Sequence, residues 1–282
     1  MTEKSEKQDL TTRLERLDAR YVYLFFAALL IIPIVVPFGL PILVTSPTRD
    51  FYDYVEKNVG KGDRVLIWGT MTTGWWPTEY RPSIVAVSQH LFNRGAKLYY
   101  ISDGAEDPLL VDTVFGMIDK GPAKYGVDYV SLGYYAGGEV ALSAFAKDVY
   151  SLVKTDYYGT PVDQLPMMKE VKTAKDFKFV MHVTGSPAEW LLRQYKTPYG
   201  IDCGWVGSSG MVGIYMPYYA SRQVVGFVCG LRGGAEYETL MKRPGIGLAS
   251  TDAMSAGHLY FALIMIFANI VYYIGRKERK KQ

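Results

Sequence analysis

Two short polar runs hold the side chains best suited to binding or chemistry. GTMTTGWWPTEYRP, residues 69–82, carries Thr70, Thr72, Thr73, Trp75, Trp76, Glu79 and Arg81. HVTGSPAEW, residues 182–190, carries Thr184, Gly185, Ser186 and Glu189. Hydroxyls beside an arginine suit a phosphate-bearing or sugar compound. Trp75 and Trp76 suit stacking on a ring, contact with a membrane surface or a protein partner, or a plain lid over the core. A helix starting at Ser186, with Pro187 at its first position, would present free amides to an anion.

The known catalytic patterns do not fit these runs. GTMTTG lacks the G-x-G-x-x-G turn of dinucleotide binding, and there is no Walker sequence. GLRGGAEYE, residues 230–238, is glycine-rich but follows no predicted strand. VTGSP lacks the glycine pattern of a nucleophile elbow. His90, His182 and His258 are too scattered for a metal site. Asp103 stands where a ribose would be held, without the glycine turn that role requires. No catalytic residue, metal or cofactor is therefore assigned. Cys203 and Cys229 are the only cysteines, and both lie in apolar sequence. A disulfide and two free buried thiols both fit.

The two runs need elements to place them. Strand-like segments fall at 64–70, 97–103, 128–134, 177–185 and 201–207. Helical periodicity falls between them, at 83–95, 107–121, 138–153 and 186–195. This alternation predicts right-handed crossovers and an open, mostly parallel sheet, an α/β domain of Rossmann-like type. Runs such as VLIW and FVMHV read as strands covered on both faces. Ligands of such sheets sit beyond the carboxyl ends of the strands, where the strand order reverses. The two polar runs would meet there.

The chain ends point elsewhere. YVYLFFAALLIIPIVVPFGLPILV, residues 21–44, contains no charge, and residues 256–275 hold only His258 and Asn269 as strongly polar members. Each is long enough for a membrane helix of roughly 20 residues. The first reads as an uncleaved signal anchor, kinked by Pro33, Pro37 and Pro41. Asn269 would bond to the other span or to its own helix. Residues 276–282 carry five cations and one Glu, whereas residues 1–20 carry five of each sign. By the positive-inside rule both ends face the cytoplasm, at 1–20 and 276–282, and the domain at 45–255 lies outside. The whole net charge of +3 comes from the tail, which leaves no basic surface for nucleic acid.

Residues 210–231 carry only Arg222 as a charge. A third span would put the two cationic ends on opposite sides, so a helix beginning at Pro217 and covering the sheet is expected instead. Gly226, Gly230 and Gly234 would form one stripe on it, for close packing within the domain or against a subunit. Twenty-three tyrosines, several in adjacent pairs, suggest exposed aromatic surface. The resulting expectation is a structural or accessory membrane protein, its partners the lipid bilayer and other membrane subunits or its own copies. The alternative is a tethered domain that binds or converts a small phosphate- or sugar-bearing compound.

Overall fold

RVLIWGT folds as the first strand of a six-stranded sheet. In chain order the strands are β1 (Arg64–Thr70), β2 (Lys97–Ser102), β3 (Tyr129–Tyr134), β4 (Phe179–Thr184), β5 (Asp202–Gly207) and β6 (Phe227–Cys229). The longer helices are α1 (Ala19–Val35), α2 (Ser46–Asn58), α3 (Arg81–Asn93), α4 (Asp107–Met117), α5 (Glu139–Lys147), α6 (Val212–Ala220), α7 (Gly230–Met241) and α8 (Ile246–Arg279). The computed structural model describes residues 18–279. Most of the two charged flanks therefore lies outside the described residues. Residues 41–248 form one compact unit, and the described parts of 1–40 and 249–282 form a second.

The sheet order is β3-β2-β1-β4-β5-β6 and every pairing is parallel. β1 lies between β2 and β4, so the order reverses at the β1–β4 seam. One face packs on α2, α3, α4 and α7 through Phe51, Ile84, Val87, Val111 and Tyr237. The other packs on α5, α6 and the helical stretch 189–199 through Leu142, Phe145, Leu191, Tyr195 and Tyr215. The α/β architecture matches the expectation from strand–helix alternation. Covering both faces also buries Tyr99 and Tyr100 together, so that adjacent pair exposes neither ring.

Several local expectations give way. Residues 227–229 pair with β5 as a sixth strand, and Pro217 sits inside α6 instead of starting a longer helix. Gly226, Gly230 and Gly234 are thus spread over a strand approach and a helix. All three are buried, each against a different neighbour in the same unit. Gly226 abuts the α2 backbone, Gly230 abuts Ser209 and Glu79, and Gly234 abuts Pro82 and Ser83. Their smallness serves internal packing. The second polar run also differs: the helix begins at Glu189, and a π turn follows at Leu192–Lys196. Both cysteines are free and buried. Cys229 pairs with Gly207, four residues along β5 from Cys203. That offset is roughly 13 Å at strand rise, well beyond disulfide reach.

The second unit contains α1 and nearly all of α8. Ile246–Arg276, 31 residues, is long and apolar enough to cross a membrane. α1 is shorter, 17 residues. The predicted helix over 21–44 stops at Val35 because Pro37 and Pro41 donate no amide and push Val36 and Leu40 toward extended backbone. α1 packs on α8 through Phe26, whose ring lies 5.6 Å from Tyr260 and 4.8 Å from Phe261. The Tyr260 hydroxyl donates to the Val22 carbonyl at 2.9 Å. Past α1, the amides of Gly39 and Leu40 donate to the buried Asp252 carboxylate at 2.8 and 3.2 Å. Asn269 bonds the Met265 carbonyl of its own helix at 2.7 Å. Outward-facing side chains such as Leu24, Val35, Leu263 and Ile270 are exposed.

Gly234 and Gly116 test the packing. A Cβ at Gly234 would lie 2.5–2.9 Å from Pro82 and the Ser83 amide, whereas Gly116 in α4 has open space around it. Gly234→Ala is expected to destabilise residues 41–248 by about 1–3 kcal/mol through overpacking. Gly116→Ala is expected to stabilise by about 0.5–1 kcal/mol through helix propensity. Denaturant midpoints of the two variants, measured side by side, check the opposite signs.

Candidate functional site at the strand reversal

β1 and β4 end side by side, with Thr70 in register with Thr184. Thr70, His182 and Thr184 share the sheet face that carries Leu66, Trp68 and Val180, by strand alternation. The Thr70 hydroxyl donates to Asp103 Oδ1 at 2.5 Å, just past the end of β2. With its proton committed there, Thr70 Oγ1 can only accept from His182 Nε2, 3.1 Å away. With Asp103 ionised, this pairing selects the neutral tautomer with hydrogen on Nε2 and leaves Nδ1 as an acceptor. Nδ1 is buried and has no hydrogen-bond partner. Complete burial drives the His182 pKa down to about 3. Burial also raises the Asp103 pKa, against the lowering effect of the Thr70 hydrogen bond.

A second buried acid lies on the other face of the sheet. Asp107 opens α4 and packs against the bare Cα of Gly69, where any Cβ would collide with its carboxylate. The Ser102 hydroxyl and Met71 amide lie beside it, but neither closes an ordinary hydrogen bond. Burial holds its pKa well above the usual carboxylate range. Sequence reasoning missed this group, because an Asp–Pro pair at a helix start reads as a cap. Its surroundings depend on Gly69 in another strand, which no local pattern reveals.

The loop after β1 closes over the seam. Gly185 lies beneath the Trp75 ring and the Tyr80 hydroxyl, with no room for a side chain. Trp75 and Tyr80 stack 6.4 Å apart. Glu79 reaches the loop after β5, accepting from the Ser209 amide at 2.5 Å and the Ser209 hydroxyl at 2.9 Å. The Ser186 amide donates to Thr184 Oγ1 at 3.1 Å, and its carbonyl accepts from Tyr215 at 3.0 Å. Ser186 therefore caps no helix and offers no open amide nest, which corrects the expected anion site. The chain's own aromatic rings occupy the place where a pyrophosphate approaches in a dinucleotide fold.

Of the predicted ligand residues, Thr70, Trp75, Thr184, Gly185 and Ser186 converge at the seam. The rest are dispersed. The Thr73 amide donates to Glu106 at 2.6 Å, and Thr72 makes the turn that receives the Trp75 amide. Trp76 packs on the face of α2 and α3. Glu189 accepts from Tyr218 at 2.9 Å. Arg81 lines a separate cavity with Met117 and Arg243. His90 bonds Glu56 and Tyr237, a buried structural role. Among the described residues no group of three His, Cys, Asp or Glu side chains could hold a metal ion.

The two buried groups act oppositely on stability. The depressed His182 pKa means the unfolded chain binds more protons between about pH 6.5 and 3, so stability falls on acidification through that window. The slope is at most about 1.4 kcal/mol per pH unit. His182→Gln is expected to flatten it. The raised Asp107 pKa has the reverse sign, full stability below the ordinary carboxylate pKa and loss as pH rises. Asp107→Asn is therefore expected to gain over wild type as pH increases. Melting temperatures of both variants and wild type at pH 5 and pH 8 check the two signs.

No family model matches this chain, and neither do any of the curated proteins or solved structures with which it was compared.

Proposed function

We propose that this chain is a membrane-anchored structural or accessory subunit that presents an α/β domain for assembly with its own copies or with other membrane proteins. The segment following α1 carries this reading. Val36, Phe38 and Leu40 are exposed apolar side chains on non-helical backbone. Asp252 satisfies only the amides of Gly39 and Leu40. Hydrocarbon does not tolerate irregular backbone facing lipid, so such a stretch at membrane depth rests against protein. The length of α1, about 25 Å, agrees: it falls short of a hydrocarbon core of about 30 Å, and the remainder must be made up by the irregular stretch.

The cations of 276–282 favour a cytoplasmic tail, and a second crossing by α1 with its continuation returns the N-terminus to the same side. In this arrangement the domain is extracytoplasmic. The second reading, a small-molecule site at the β1–β4 seam, is favoured by the Thr70–Asp103–His182 chain with its unused His182 acceptor. It requires Trp75 and Tyr80 to leave Gly185.

Two measurements test the proposal. Light scattering of the full chain in mild detergent is expected to give a mass above one copy, and V36D/F38D is expected to reduce it to one. A wild-type chain that is a lone monomer in native membranes and in detergent overturns the assembly role. Leu109 is well exposed on the domain. Leu109→Cys is expected to react with an impermeant maleimide on intact cells, against a background of two buried native thiols. Labelling only after lysis reverses the topology.

A further inference from the structure

The cavity that holds Arg81 is unconnected with the strand reversal and has chemistry of its own. It is open to solvent on one side and holds about 330 Å³ between α3, the end of α4 and the turn joining α7 to α8. Its charged lining is Arg81, Glu238 and Arg243, and its apolar lining includes Val85, Met117 and Met241. Glu238 is not available to either arginine. Its Oε1 accepts from the Gly247 amide at 2.9 Å. Its Oε2 accepts from the Gly245 and Leu248 amides at 3.0 and 2.8 Å. The carboxylate is thus spent on the first turn of α8. Gln89 is also engaged, bonding Asn93 and both the amide and the carbonyl of Asp119.

The arginines remain unmatched. Arg81 Nε is buried with no hydrogen-bond partner. Among the described residues, neither Arg81 nor Arg243 makes a salt bridge or a side-chain hydrogen bond. Two guanidiniums line the cavity and the one carboxylate there is turned to backbone amides, so positive charge is left over. Guanidiniums bind carboxylate and phosphate oxygens in a matched two-point geometry, and a buried unpaired N–H is costly to leave unmade. The methionines and Val85 offer a deformable apolar wall next to that charge. The volume falls at the small end of ligand pockets, which span about 300–1,000 Å³.

We propose that this cavity binds an oxyanion carried on a short apolar chain, the oxyanion held by Arg81 and Arg243 and the chain lying along Val85, Met117 and Met241. A carboxylate amphiphile and a lipid phosphate headgroup share this chemistry. The site is independent of the assembly role, since none of its residues belongs to the segment after α1.

Calorimetry on the full chain in neutral maltoside micelles, with empty micelles as blank, tests it using four probes: octanoate, dihexanoyl phosphatidate, octanol and inorganic phosphate. Saturable binding of octanoate or of phosphatidate is expected, at least tenfold tighter than octanol or inorganic phosphate. Octanoate alone identifies a free acid as the ligand, and phosphatidate alone identifies a membrane headgroup. Arg243→Ala, at an exposed position, is expected to weaken binding at least tenfold while leaving the melting temperature of the unliganded chain unchanged. Arg81→Gln is expected to do the same to binding, and Arg81→Lys to restore part of it. Equal binding of octanol, no binding of either anion, or unchanged affinity in Arg243→Ala overturns the proposal.

Discussion

A parallel sheet must be dry on both faces, and the domain is organised around that requirement. Parallel strands are joined by crossovers, and the crossovers place helices on the faces. From Val65 to Gly69, β1 is buried at every position, and β4 is buried throughout. Any polar group inside such a sandwich must find a partner within it or shift its protonation. Thr70, Asp103, His182 and Asp107 all sit at the carboxyl edge of the sheet, where the two apolar layers end. Burial there lowers the His182 pKa and raises those of Asp103 and Asp107.

The cover is what separates this domain from an open dinucleotide fold of the same strand order. The loop after β1 is bulky and aromatic where a nucleotide-binding turn is small and glycine-rich. Trp75 and Tyr80 fill the approach to Gly185, and Glu79 ties the loop to Ser209 on the far side of the seam. Strand order alone therefore says where a ligand would lie, and the loop's side chains decide whether the place is free. The cavity at Arg81 shows the converse: it arises between helices, away from the seam, because Glu238 turns toward backbone amides and leaves two arginines facing a gap.

The second unit pairs the helix that is long and apolar enough to cross a membrane with the shorter apolar α1. Among the described residues, many of its outward side chains are apolar, and its polar contacts include Tyr260 to Val22, Asn269 to its own helix and Asp252 to the amides of Gly39 and Leu40. Prolines end α1 before it reaches full spanning length. A buried carboxylate then takes up two of the amides released by that ending, one of them on Gly39, whose φ of 68° suits glycine. Asp252, more than two hundred residues further on, thereby ties α8 to the chain just past α1.

The sequence by itself determined five of the six strands, the parallel arrangement, a C-terminal helix suited to a bilayer and the place where the sheet order reverses. These rest on local periodicity and on apolar length, which a linear chain displays directly. Three residues were too few to mark β6, and its pairing with β5 alone makes it a strand. The prolines of 33–41 were visible, but not that Pro33 stays inside α1 while the chain past Pro37 turns its Gly39 and Leu40 amides to Asp252, more than two hundred residues away. Only the tertiary structure decided that Ser186 caps nothing, that Trp75 and Tyr80 close the seam, that Gly226, Gly230 and Gly234 face different neighbours, and that Arg81 belongs to another cavity with Arg243. Each of those outcomes turns on contacts between distant segments, and burial, which sets both pKa and pairing, is a property of the packed chain and not of any stretch of it.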